Sequence, residues 1–280
     1  MEKILVFGSS GMLGNYLCIL LESKGYKVEK NDRVEGGIDI TLAEDVKRVV
    51  KDSNAKFVVN CSAYTNVEKA EEEKHIAFQV NAHAPKYMAL ACKELDIPFV
   101  HISTDYVFGE NKEGTYTEDY KTFKPLNIYG ESKLEGERGV LGVGGKLYIF
   151  RTSWLFGPNA TNFIEKISKY GRELPELKVV TDEIGCPTHV SDLSNAILTA
   201  IQGDIKPDIY HVCSRDTCSR YEFAKEILNM QGIKTPVKEC KLEDFNRKSK
   251  VPNHSQLLNT KLPKMRTWKE MLEEYFNIRK

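Results

Sequence analysis

Short apolar runs alternate with longer amphipathic stretches through the first half of the chain. Residues 4–7, 27–30, 57–60, 99–102 and 147–151 read as strands, and 12–23, 43–52, 75–94 and 128–141 as helices. The stretch from His75 sets Phe78, Ala82, Met88 and Ala89 among its apolar positions, ahead of the breaker Pro98. Strictly alternating strands and helices imply parallel strands joined by crossover helices. The expected fold class is therefore α/β, a doubly wound, Rossmann-like parallel sheet. After Trp154 the pattern loosens. Helices are expected at 162–171, 191–202, 220–231 and 267–276, with short strands at 179–180 and 209–212, punctuated by Pro187, Pro207, Pro236, Pro252 and Pro263. This reads as a smaller mixed α/β C-terminal substrate domain. The expected division is 1–155 for a dinucleotide-binding domain, rejoined by part of 189–212, and 156–280 for a substrate-binding part.

The first strand runs into Gly8-Ser9-Ser10-Gly11-Met12-Leu13-Gly14, glycines spaced by three at the mouth of a helix. The first permits a sharp turn, the second lets backbone N–H groups approach a pyrophosphate, and the third permits close helix packing. Backbone donors of Ser10, Gly11, Met12 and Leu13 would then face the phosphate at the positive end of the helix dipole. On the second strand, Asp32 stands where an acid would hold a free ribose 2′-hydroxyl, as in NAD. Arg33 beside it would stack on adenine or pair with the 2′-phosphate of NADP. The choice stays open between NADPH and NADH, leaning to NADP, and a solvated turn of Asn31, Asp32 and Arg33 is the plain alternative. Asp39 and Ile40 lie where an adenine edge would be held.

Bulk composition narrows the partners. Of 280 residues, 41% are hydrophobic, enough for a packed core. Lysine plus arginine equals aspartate plus glutamate at 40 each, so no chain-wide basic field draws nucleic acid or an anionic membrane. No run approaches the apolar length of a membrane span. Seven cysteines, several in apolar runs, read as reduced thiols, and a first strand in place of a signal sequence points to a cytoplasmic protein. Cys213 and Cys218 lack the second pair that a metal clip requires.

Four Tyr-x-x-x-Lys patterns occur, and context separates them. Tyr26/Lys30 falls on a strand, where four residues span about 13 Å. Tyr120/Lys124 runs into Pro125, which disfavours helix before it. Tyr221/Lys225 belongs to the C-terminal part. Only Tyr129/Lys133 opens a helix shortly after a strand ending in Ser103-Thr104-Asp105, and residues four apart share a helix face. A free phenol has a pKa of about 10 and is a poor acid–base catalyst, but a nearby ammonium lowers it by about 1–3 pH units. Thr104, Tyr129 and Lys133 are thus the candidate catalytic set. Tyr129 would protonate an alkoxide formed by hydride transfer, Thr104 would hydrogen-bond the same oxygen, and Lys133 would also hold the nicotinamide ribose.

With these residues in view, the chain resembles the extended short-chain dehydrogenase/reductases and, more narrowly, the dTDP-4-dehydrorhamnose reductase family. The resemblance rests on the glycine turn, Asn60-Cys61-Ser62-Ala63-Tyr64-Thr65, Val80-Asn81, Ser103-Thr104-Asp105-Tyr106-Val107-Phe108-Gly109, the stretch from Pro125 to Glu137, Arg151-Thr152-Ser153-Trp154-Leu155-Phe156-Gly157 and Gly185-Cys186-Pro187-Thr188. It implies NAD(P)H-dependent reduction of a nucleotide-linked 4-keto-6-deoxyhexose, with sibling reductases of 6-deoxy-L-talose type and a non-catalytic regulatory subunit as its other outcomes. It also implies that Cys61, Ala63, Tyr64 and Arg151 line the coenzyme, and that Thr65, Asp105, Tyr106, Val107 and Trp154 border the sugar nucleotide. Some members hold magnesium through glutamates at a dimer contact. Here the glycine helix begins Asn15-Tyr16-Leu17, so no such metal is expected, and a homodimer would form elsewhere. Beyond Arg247, Lys250-Val251-Pro252 stands where the family carries an Arg-Pro pattern.

Overall fold

The computed structural model describes residues 1–33, 36–109 and 114–277. Its centre is a six-stranded parallel sheet of Lys3–Phe7, Lys27–Asn31, Phe57–Asn60, Phe99–Thr104, Leu147–Thr152 and Ile209–His211. The second strand forms one edge, followed across the sheet by the first, third, fourth, fifth and sixth. Winding therefore reverses between the first and third strands, and a crevice opens there at the carboxyl ends.

Alternation along the strands feeds two cores. Ile4 and Val6 face the helices Met12–Ser23 and Val190–Gln202, with Leu17, Leu21, Leu193 and Ile197 buried between. Leu5 and Phe7 face the other side, against Val46, Val50, Met88 and Val140 of the helices Ala43–Ser53, Ala84–Glu94 and Ile128–Val143. Strands buried on both faces explain the continuous apolar runs in the sequence. A third core, around Phe156, Phe223, Trp268 and Tyr275, belongs to the C-terminal part. No helix among the described residues is long and apolar enough to cross a membrane.

The expected single helix from His75 to Glu94 is three segments: Lys74–Phe78, a wider π turn at Gln79–His83, and Ala84–Glu94. Pro85 has no N–H to give the Asn81 carbonyl one turn back, so the helix opens there. The gap is filled from outside. Gly136 of the helix Ile128–Val143 comes so close that a Cβ on it would lie 2.1 Å from the Asn81 oxygen. A strand at Val237–Cys240, parallel to Leu177–Val180, has no clear sequence signal because Lys238 and Glu239 break any apolar pattern.

Candidate active site

The glycine turn is a steric solution. Gly8 sits at φ +73°, and a Cβ there would lie 2.5 Å from the Ser62 nitrogen. A Cβ on Gly14 would lie 2.1 Å from the Gly8 carbonyl oxygen, so the third glycine serves the loop itself as much as the sheet. Gly11 caps the helix Met12–Ser23 with no side chain on its first N–H groups. Those donors need an external acceptor, and a helix start of this kind suits an anion.

Beside the turn is a cavity of about 430 Å³ bordered by Gly8, Asp32, Arg33, Asp39 and Ile40, as the sequence suggested. The structure adds Asn31, Thr41, Ser62, His75, Ile76 and Gln79, for which short-range pattern gave no cue. Asn31 Oδ1 is buried there with no hydrogen-bond partner among the described residues. Arg33 extends into solvent with its side chain 82% exposed, 3.9 Å from Asp39. Asp39 accepts from the Thr41 backbone N–H at 3.0 Å and its hydroxyl at 2.7 Å, which hold its carboxyl below the usual range. The Ser10 N–H points at Asp32 at 3.4 Å. Turn, uncapped helix and orphaned amide together fit a dinucleotide.

The reactive end lies at the tip of the fourth strand. Asn127 caps the helix Ile128–Val143, accepting from Gly130 N–H at 2.8 Å, and Glu71 accepts from Ile128 N–H at 2.9 Å. These bonds present Tyr129 on the first turn, edge-on to Tyr106 with centroids 5.6 Å apart. Burial pushes the Tyr129 phenol up to about 12, while the nearby Thr104 hydroxyl pulls it down and Asp105 pushes it up. Thr104 Oγ1 accepts from Tyr106 N–H at 3.2 Å and donates to Asp105 at 3.0 Å. Ser132, on the same helix, bonds to the Asn81 amide at 3.0 Å, and Asn81 also holds both backbone groups of Tyr64. The π turn thereby ties the loop after the third strand to the helix that carries Tyr129.

Several expectations change. Lys133 does not pair with the phenol in this structure. Its buried ammonium donates to the Ile102 carbonyl at 2.6 Å, the acceptor available at the strand end, and burial lowers its pKa to about 8. Arg151, expected beside the coenzyme, is engaged inside the fold in this structure. It is 1% exposed, paired through two bonds with Glu137 at 2.8 and 2.6 Å and packed on the Phe108 and Phe123 rings. A buried guanidinium needs such a partner, and its Nη1 side meets His211 Nε2 at 3.4 Å. Val107 is sealed in a small core with Phe108 and Leu134, so its side chain borders no open cleft. The partly buried Cys61 lies near Cys18, its thiol pKa raised by desolvation, and its backbone approaches the glycine turn.

Ala63 and Thr65 are exposed on the loop after the third strand, and the Tyr64 hydroxyl donates to Glu73 at 2.6 Å. Trp154 holds φ +44°, a conformation costing a non-glycine residue about 1–3 kcal/mol. The Arg220 guanidinium lies over its ring at 3.4 Å and reaches Glu183 at 3.0 Å. Arg247 bridges Glu183 at 3.4 Å and Glu68 at 3.1 Å. These charges border a second cavity of about 760 Å³, whose walls the sequence did not single out because they come from five separate stretches of chain. Among the described residues no cluster of three or more His, Cys, Asp or Glu is placed to hold a metal ion.

A doubly wound parallel sheet with a glycine turn at its switch point, a Tyr-x-x-x-Lys helix beside it and an appended mixed part defines an extended short-chain dehydrogenase/reductase. The model of the RmlD substrate binding domain matches residues 1–280. The chain is 33% identical over 281 residues to dTDP-4-dehydrorhamnose reductase of Mycolicibacterium smegmatis, covering 98% of this chain and 84% of that one. It is 34% identical over 283 residues to the spore coat polysaccharide biosynthesis protein SpsK of Bacillus subtilis, covering 100% and 98%. The crystal structure of dTDP-4-dehydrorhamnose reductase from Bacillus anthracis in complex with NADP superposes with a TM-score of 0.94, at 34% identity and 99% coverage of both chains. The chain belongs to the dTDP-4-dehydrorhamnose reductase family, and it is an NAD(P)-dependent oxidoreductase.

Proposed function

We propose that the protein reduces the 4-keto group of dTDP-4-dehydro-L-rhamnose to give dTDP-L-rhamnose, and that Thr104, Tyr129 and Lys133 are its catalytic residues. The observation that carries the reading is the half-buried Tyr129 phenol at the carboxyl edge of the sheet, within reach of the Thr104 hydroxyl and pushed up to about 12 by desolvation. A bound dihydronicotinamide supplies hydride. Tyr129, held protonated by burial, gives its proton to the developing alkoxide, and Thr104 steadies the same oxygen. Lys133 lies one turn along on the same face. Swinging off the Ile102 carbonyl would bring its charge to the phenolate and the coenzyme ribose. The cavity bordered by Arg220, Arg247 and Glu183 would take the nucleotide diphosphate, with Trp154 between it and the reacting sugar. In this reading residues 1–155, with part of 189–212, carry the coenzyme and the rest of 156–280 the sugar nucleotide.

NADPH is the proposed coenzyme, because the exposed Arg33 guanidinium, 3.9 Å from Asp39, stands at the cavity rim where a 2′-phosphate would lie. Arg33→Ala should raise the KM for NADPH by about tenfold, roughly one lost charge-assisted hydrogen bond, and leave NADH nearly unaffected. Equal effects on both coenzymes would remove that assignment.

The function is tested by coenzyme oxidation with dTDP-, GDP- and UDP-linked 4-keto-6-deoxy sugars, followed by NMR of the product. Turnover confined to the dTDP sugar, with rhamno product, is expected. A talo product would assign the sibling reductase. No oxidation with any sugar, together with a stably co-purifying partner, would favour a non-catalytic subunit.

A further inference from the structure

Asp105 is 3% exposed, and no cation is among the groups that act on it. Its Oδ1 accepts from the Thr104 hydroxyl at 3.0 Å, and its Oδ2, like the nearby Ser153 and Ser255 hydroxyl oxygens, has no hydrogen-bond partner among the described residues. The groups around it come from four directions. Thr104 and Tyr106 belong to its own segment, Tyr129 to the catalytic helix, Ser153 to the end of the fifth strand, and Ser255 and Cys213 to the C-terminal side. Tyr106 N–H already occupies one lone pair of Thr104 Oγ1. The hydroxyl owns a single proton. While Asp105 is a carboxylate, that proton is drawn to it, and Thr104 can only accept from the phenol or the substrate. Once Asp105 is protonated the bond reverses: the carboxylic acid donates to Thr104 Oγ1, whose own proton becomes free to point at the reacting oxygen.

We propose that Asp105 is a positioning residue which, through Thr104, decides whether that hydroxyl donates or accepts at the substrate oxygen. The inference rests on the reductase reading above. One proton rotates and one hydrogen bond changes direction. Reduction is favoured by the protonated carboxyl, and its acidity is set by burial, which raises it to about 6 against the opposing hydroxyls of Ser255, Thr104 and Ser153.

The test is the pH profile of kcat/KM for dTDP-4-dehydro-L-rhamnose at saturating NADPH, in the wild type, Asp105→Asn and Tyr129→Phe. The wild type should lose about three- to tenfold, the worth of one hydrogen bond, as pH rises through about 6. Asp105→Asn, whose amide can donate at every pH, should lack that limb and hold the acid-side level at neutral pH. A limb that persists unchanged in Asp105→Asn overturns the inference while leaving the reductase reading intact if Tyr129→Phe is inactive. Near-normal turnover of Tyr129→Phe would instead remove the reading beneath it. Should Asp105→Asn fail to fold, Ser255→Ala serves in its place. Loss of that hydroxyl should move the limb to higher pH, and an unmoved limb counts against the role.

Discussion

The two walls of the site are made by different kinds of contact. The coenzyme side is backbone geometry: a positive φ at Gly8 and close approaches of Gly8 and Gly14 to carbonyl and amide groups between residues 8 and 62. The wall of the second cavity is charge on side chains. Glu68 alone accepts from Arg247, from the Lys248 and Ser249 N–H groups and from the Ser249 hydroxyl, across as many as 181 residues of sequence. Steric exclusion does not depend on salt or pH, whereas partly exposed ion pairs do. The first wall is therefore expected to be preformed and the second adjustable.

The largest effect should come from the steric wall. Gly14→Ala places a methyl 2.1 Å from the Gly8 oxygen and cannot relax without opening the turn. We expect loss of measurable NADPH binding by calorimetry, or a protein destabilised by at least about 3 kcal/mol. Normal coenzyme affinity would show that the turn is not the rigid part. Arg151→Met comes next. It strands Glu137 in the core and should cost about 3–5 kcal/mol in urea unfolding. In the folded protein, NADPH affinity should be unchanged, and a selective loss of coenzyme binding would return Arg151 to the coenzyme site.

These two residues also show what the sequence could reveal. The glycine turn, the parallel sheet and the Tyr129 helix were legible because each depends on neighbours in the chain: an apolar strand, a glycine spacing, a cap. The Glu137 pairing of Arg151 was hidden for the converse reason. Its partner Glu137 lies on a helix packed against the strand, and only the fold shows that the guanidinium is already engaged. Lys133 shares that limit. Helical spacing puts it on the face of Tyr129, but the competing Ile102 carbonyl is a tertiary neighbour. The charged wall of Glu68, Glu183, Arg220 and Arg247 has no local signature at all.

The adjustable wall should respond more gently. Glu68→Gln weakens the hold on residues 247–249, and the KM for the sugar nucleotide should rise about three- to tenfold with coenzyme affinity unchanged. Moderate salt should narrow the difference between wild type and variant; equal effects on both ligands would mean that the two walls are not separate. A separate effect, on stability alone, concerns Lys133. Its folded-state pKa of about 8 lies below its ordinary 10.5, so between those values the unfolded chain binds more protons. Stability from this group is therefore lowest below pH 8 and recovers as pH rises toward 10.5. Lys133→Met should be the more stable protein at neutral pH, with the gap closing at alkaline pH in parallel denaturant titrations.

The central claim is that the half-buried Tyr129 phenol on the first turn of the helix Ile128–Val143 delivers the proton in sugar-nucleotide reduction. Single-turnover reduction of dTDP-4-dehydro-L-rhamnose by Tyr129→Phe loaded with NADPH tests it directly. The account predicts a rate lower by about 10²–10⁴-fold with NADPH affinity retained. A rate within a few-fold of the wild type would contradict it.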